Sequence, residues 1–326
     1  MSEPARWPQP DAAAASAGAA ARPAPLVAVD HAARWYGSVV AVNDVTFALE
    51  PGVTGLLGPN GAGKSTLLHM LAGLLAPSAG SVTLDGSPTF GDPAIYRRIG
   101  LVPERESVFG YLTGREFVRL AAQLQGLPDP DEATDRALVL VDLESAADRA
   151  TGTYSKGMRQ RVKVAAGLVH DPEVLILDEP FNGMDPRQRL HMMALLQQLA
   201  AQGRVILFSS HILEEVERVA RRVLVMVAGR LAASGDFREI RRLMIDRPHA
   251  FTLRTSDDRT LASRLAARPV VAGLAFVDGR LEVQATDFAS FTRELPWVAR
   301  EAGVSILELL PADESLESVF AYLVQR

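Results

Sequence analysis

The sequence contains no cysteine, so disulfides, thiolate zinc sites, iron–sulfur clusters and cysteine nucleophiles are all excluded. It also lacks an excess of positive charge, with 34 Lys and Arg against 39 Asp and Glu and a formal net charge of −5. That balance creates no global basic field, which argues against nucleic acid as a partner. No uninterrupted apolar run approaches the roughly 18 residues that a membrane-spanning helix needs, although 48% of the residues are hydrophobic. Residues 1–25 lack the basic segment and leucine-rich run of a secretory signal. Their Ala- and Pro-rich composition reads as a disordered tail.

From Leu26 onward, short β-branched runs alternate with helix-length segments. LVAVD, VTGLL, RRIGLVP, EVLILDEP, RVILFSS and RRVLVMVAG are strand candidates. A continuous apolar run such as VLILD suits a parallel strand covered on both faces, so residues 26–240 are expected to form an α/β domain. Residues 241–326 have a different texture. Strand-like AFTLRT is followed by a helix over DRTLASRLAAR, strand-like VVAGLAFV, a turn at Asp278-Gly279, strand-like RLEVQA, a helix from Asp287 to about Ala302, then VSILELL. The order β-α-β-β-α-β predicts a ferredoxin-like α+β domain, with Asp-Gly as a type I′ hairpin turn. Its candidate core is Phe251, Leu253, Leu261, Leu265, Val277, Leu281, Val283, Phe288, Phe291, Val304, Ile306 and Leu309. A last helix over about 315–324 would place Leu316, Val319, Phe320 and Leu323 on one apolar face. This region has no cluster of catalytic form, which points to an accessory role rather than a second active site.

The chemistry begins after VTGLL, where Gly58, Pro59, Asn60, Gly61, Ala62, Gly63, Lys64, Ser65 and Thr66 follow the pattern G-x-x-x-x-G-K-[ST]. The glycines let successive backbone N–H groups turn toward one anion, Lys64 reaches the β and γ phosphates, and the Ser65 hydroxyl can ligate Mg²⁺. The helix expected over TLLHMLAGLL directs its N-terminus at the same phosphates. Downstream, Asp178 ends the apolar run VLILD, where a carboxylate can hold Mg²⁺. Glu179 beside it is placed to orient or deprotonate a water. Two adjacent acids at the end of a buried strand are costly unless a cation is near.

A P-loop alone leaves kinases, GTPases and many ATPases open. YSKGMRQR from Tyr154, VLILDEP from Val174, NGMDP from Asn182 and SSH from Ser209 follow it in that order. Over about residues 26–240 the chain therefore resembles the nucleotide-binding subunit of ATP-binding cassette (ABC) transporters. The form of YSKGMRQR and the C-terminal extension look like the exporter branch of drug, antibiotic and polysaccharide efflux ATPases. The resemblance implies a P-loop NTPase fold with a helical subdomain, ATP as the nucleotide, Mg²⁺ as the cation and His211 as the switch histidine. It implies Tyr36 as the aromatic stacking on adenine, with Trp35 as its rival. Ser155 and Gly157 would meet the γ-phosphate held by a second ATP-binding subunit, the bland alternative for Ser155 being an ordinary N-cap.

Two departures from the family pattern stand out: Lys156 replaces a glycine, and Glu104 replaces a glutamine after Val-Pro. Glu104 would ligate Mg²⁺ with an added negative charge, or face solvent. The implied assembly is a homodimer of this chain with an integral-membrane permease at the cytoplasmic face of the cell membrane. Rival readings are a soluble ABC protein of translation, repair or cofactor assembly, and a non-hydrolysing nucleotide-binding regulator.

Overall fold

The computed structural model describes residues 26–105, 108–236, 248–277 and 279–311. The tail expected over 1–25, the terminal helix expected over 315–324 and Asp278 of the hairpin turn lie outside those residues. Chain order begins with strands β1 (Val27–Tyr36), β2 (Val39–Leu49) and β3 (Gly52–Leu57), helix α1 (Lys64–Leu71), and strands β4 (Ala79–Leu84), β5 (Ser87–Pro88) and β6 (Ile99–Val102). Three helices follow, α2 (Gly114–Leu124), α3 (Pro130–Leu140) and α4 (Lys156–Leu168). Then come β7 (Val174–Leu177), α5 (Pro186–Ala201), β8 (Val205–Ser210), α6 (Leu213–Val219), β9 (Arg222–Val227) and β10 (Arg230–Gly235). The last elements are β11 (His249–Thr255), α7 (Asp258–Leu265), β12 (Val271–Val277), β13 (Arg280–Ala285), α8 (Phe288–Glu301) and β14 (Ile306–Pro311).

The central sheet has the order β10-β9-β3-β8-β7-β6. β3 is parallel to β8 and β9, β7 is parallel to β6 and β8, and only β10 runs antiparallel. Every residue of β7 and β8 is buried. That is why their sequences are continuous apolar runs rather than alternations. The LVAVD run departs from the expected parallel pattern. It opens β1, which belongs to a separate antiparallel sheet of order β2-β1-β4-β5. Its alternating burial, with Val27 and Val29 inward, is the signature of a strand covered on one face.

Between β6 and β7 the chain forms a helical layer of α2, α3 and α4. α2 opens on a capping box in which Thr113 and Glu116 satisfy each other's backbone N–H groups. α3 and α5 each open on an aspartate cap followed by proline, Asp129-Pro130 and Asp185-Pro186. α1 is shorter than its apolar run, because Gly73 in the left-handed region (φ +72°) ends it.

The last four strands pair antiparallel in the order β12-β13-β11-β14, with α7 and α8 as the connecting helices. Phe251, Leu253, Leu261, Leu265, Leu281, Val283, Phe291 and Val304 are buried in one core, and Phe288 and Ile306 pack at its margin. That core draws only on residues 251–304. Two expected members are corrected: Val277 and Leu309 are 42% and 37% exposed. Both stand on β12 and β14, the edge strands of this sheet, beside which no further strand pairs among the described residues.

Phe291 is fully buried in this core in ring contact with Phe251. Phe291→Ala is expected to destabilise residues 249–311 by roughly 3–5 kcal/mol. Nucleotide affinity should stay within twofold, since among the described residues this core contains none of residues 26–236. Thermal melts alongside nucleotide titrations check this; loss of nucleotide binding at a temperature where the variant remains folded would refute it.

Candidate functional site

Parallel β3, β6, β7 and β8 all point their C-terminal ends at one edge of the sheet, where ligands of open α/β folds bind. Beyond β3, residues 58–63 turn sharply into α1. Gly63 has φ +96°, and a Cβ there would lie 2.2 Å from the Ala41 carbonyl oxygen, so any side chain is excluded. A Cβ on Gly58 would lie 2.5 Å from the Met226 carbonyl oxygen. The buried Lys64 ammonium donates to the carbonyls of Gly58 (2.7 Å) and Pro59 (3.3 Å), which holds the loop curled around its own cation.

Beyond β7 stand Asp178 and Glu179, both buried. The Ser209 hydroxyl, at the end of neighbouring β8, donates to Asp178 Oδ1 at 2.5 Å and accepts the Glu179 N–H at 2.9 Å. Glu179 has φ +51°, a left-handed conformation that is uncommon for a residue with a side chain and typical of constrained functional positions. His211 Nδ1–H donates to Glu179 Oε2 at 2.9 Å. Burial pushes the Glu179 carboxyl above its ordinary pKa, and the charge of Asp178 adds to that. The His211 hydrogen bond and the Lys64 charge oppose it.

A cleft of about 430 Å³ is lined by Asn60, Gly61, Ala62, Gly63, Lys64, Ser65 and Thr66, by Glu104, Asp178, Glu179 and His211, and by Val39, Val40 and Ala41. Loop, acids, Glu104 and histidine are thus brought together from four separate segments. Tyr36 and Trp35 do not line it; both are about half exposed, and the Arg34 guanidinium stacks over Tyr36 at 4.9 Å. Val39 and Val40 supply the apolar wall instead. Sequence reading passed over them because two exposed valines opening a strand carry no motif. Metal-holding groups of three or more His or acidic residues do not occur among the described residues. Ser65, Glu104 and Asp178 still form an oxygen donor set in one cleft, which fits Mg²⁺ held by one or two carboxylates with phosphates completing its shell.

Ser155 and Gly157 lie outside the cleft, at the start of α4. Ser155 caps that helix, its Oγ accepting the Met158 N–H at 3.2 Å. Gly157 packs so closely on α5 that a Cβ would sit 2.3 Å from Gln188 Oε1, and the Lys156 stem crosses Gly183. Further along α4, buried Lys163 donates to the carbonyls of Pro103 (2.7 Å), Glu104 (3.2 Å) and Arg105 (3.2 Å). The loop carrying Glu104 is thereby fastened to the helix that Ser155 begins. Lys163 reads in the sequence as one of three cations on a helix, with no sign that it points inward.

An ABC transporter family model matches residues 42–182. An uncharacterized ABC transporter ATP-binding protein of Nostoc sp. is 43% identical over 62% of this chain and 62% of its own length. The match thus spans less than two thirds of that relative. A Nod factor export ATP-binding protein I of Burkholderia pseudomallei is 41% identical over 61% of this chain and 67% of its own. A solved ATP-binding subunit of an ABC transporter is 32% identical, with a TM-score of 0.62, covering 67% of this chain and 92% of that one. An uncharacterized ABC transporter ATP-binding protein of Bacillus subtilis is 31% identical over 92% of this chain and 99% of its own length. A phosphate loop, a strand-end acid pair and a histidine meeting in one cleft, and a likeness running the whole length of the Bacillus protein, lead to one conclusion: this chain belongs to the family of ABC transporter ATP-binding proteins.

Proposed function

We propose that the chain binds and hydrolyses ATP with Mg²⁺ and drives an exporter whose membrane path is supplied by a separate permease. The observation that carries this reading is the cleft in which residues 60–66, Glu104, Asp178, Glu179 and His211 converge. Residues 58–66 hold the phosphates through backbone N–H groups and the Lys64 ammonium. Glu179, raised in pKa yet held by His211, orients the attacking water and takes its proton as the water oxygen bonds to the γ phosphorus and the ADP oxygen leaves. His211 keeps the Glu179 carboxylate aimed at that water. Ser65, Asp178 and Glu104 would hold the Mg²⁺, which when bound neutralises phosphate charge. Val39 and Val40 form the apolar wall, and Tyr36 or Trp35, half exposed outside the cleft lining, would stack on an adenine that extends beyond it.

Ser155 and Gly157, standing apart from this chain's own cleft, are assigned to the γ-phosphate of a second copy, giving a homodimer with two nucleotides. Among the described residues no helix is long and apolar enough to cross a membrane; the permease and the place at the cytoplasmic face of the membrane are proposed from the likeness to ABC transporter ATP-binding proteins. The export direction rests on the likeness to a Nod factor export protein. Residues 26–240 form the ATPase domain in this reading. Residues 241–326 form an accessory domain, consistent with a core whose described members all lie within 251–306.

Lys64→Ala is expected to weaken nucleotide binding. Glu179→Gln should keep binding and lose turnover by roughly 10²–10⁴-fold; phosphate-release assays and nucleotide titrations separate the two, and normal turnover in Glu179→Gln would refute the assignment. Because Glu179 is raised in pKa, its base form is lost as pH falls through a value above the ordinary glutamate range. The acid limb of kcat/KM against pH, which reports the free enzyme, should therefore lie above that range, and an acid limb at an ordinary carboxylate position would count against Glu179 as base. Glu104→Gln removes a charge from the cleft and should shift the Mg²⁺ concentration for half-maximal activity; superimposable Mg²⁺ titrations would place Glu104 outside the metal's reach.

A further inference from the structure

β8 ends in two fully buried serines that face opposite ways. Ser209 holds the acid pair. The Ser210 hydroxyl donates to Glu215 Oε2 at 2.6 Å and accepts the Ile212 N–H at 3.0 Å. Glu215 lies on α6 and is only 4% exposed. Its other oxygen pairs with Arg189 Nη1 of α5 at 3.4 Å. Burying a carboxylate is unfavourable unless it is paired and hydrogen-bonded. An apolar residue would fill the same place on α6 without that penalty, so the acid calls for another explanation.

His211 supplies one. It stands between Ser210 and Ile212, the residue whose N–H the Ser210 hydroxyl accepts, while its own side chain is 53% exposed. The imidazole reaches Glu179 only if the backbone on either side of it is fixed. On the far side of the network, Arg189 follows Gln188, the residue packed against Gly157 at the start of α4. Two successive residues of α5 thus touch the Ser155–Gly157 turn and the Glu215 carboxylate.

We propose that Glu215 is a positioning residue for His211, and that through Arg189 it ties this histidine to the turn at Ser155 and Gly157. The proposal rests on the ATPase reading above. Glu215 acts through hydrogen bonds to Ser210 and touches no reacting atom. A shift of the Ser155 turn would be passed by α5 to the histidine of the same subunit, linking the surface that meets a partner to the setting of the hydrolytic site.

The test compares Glu215→Ala, Glu215→Gln and Ser210→Ala in the full chain, alone and combined with His211→Ala. Melting temperatures are measured beside steady-state ATP hydrolysis. Glu215→Ala is expected to lower kcat about tenfold with KM within twofold. Glu215→Gln, whose amide oxygen still accepts the Ser210 hydroxyl, should recover at least half of the lost rate. Ser210→Ala, a smaller change, should reproduce the kcat loss where Glu215→Ala unfolds. In the residual activity of His211→Ala, measured over long incubations, adding Glu215→Ala should change nothing further. Folded Glu215→Ala and Ser210→Ala with kcat within twofold of the parent would overturn the proposal, as would a full additional loss in the His211→Ala background. Normal hydrolysis by His211→Ala itself would overturn the ATPase assignment of His211 and this proposal together; an inactive His211→Ala beside a fully active Glu215→Ala overturns this proposal alone.

Discussion

Parallel hydrogen bonding among β3, β6, β7 and β8 is the constraint on which the rest depends. Strands paired in the same direction end at the same edge, so four segments spread over about 150 residues of sequence deliver their next residues to one place. Leu177 is level with both Val102 and Phe208. That register sets Asp178 beside Ser209 and opposite the loop that carries Glu104. A slip of one residue in any of these pairs would turn the acids from the cleft into the sheet face.

The strand ends are then locked by hydroxyls. Ser209 bridges Asp178 and the Glu179 backbone, and Ser210 bridges Glu215 and the Ile212 backbone. Each carboxylate accepts from a neutral donor at short range, and each serine also stabilises an exit turn. In a buried setting such satisfied polar groups fix geometry more firmly than apolar contacts, because the alternative positions leave a charge unpaired. The left-handed backbone of Glu179 is held by the same network.

The helix α4 joins three features that sequence order keeps apart. Its first turn is capped by Ser155, its glycine lies against α5, and its buried Lys163 gathers three carbonyl oxygens of the Glu104 loop. A buried ammonium satisfied by backbone carbonyls fits the geometry of a loop end, which has acceptors to offer and no helix or strand to use them. Lys156 contributes a different contact, its aliphatic stem crossing Gly183. That is packing rather than a charge presented to the cleft.

The sequence by itself determined the phosphate loop, the acid pair and the β-α-β-β-α-β order of the last strands and helices, because each depends on residues close together in the chain. Glycine placement, capping chemistry and apolar period are local properties and can be read locally. The tertiary structure alone decided that LVAVD joins an antiparallel sheet, that Val277 and Leu309 stand on uncovered edges, and that Val39 and Val40 rather than Tyr36 line the cleft. It also decided the inward course of Lys163 and the partners of Glu215. Those outcomes depend on which strand is a neighbour and which face is covered, and a hydrogen bond between residues thirty or sixty positions apart leaves no pattern in either stretch of sequence.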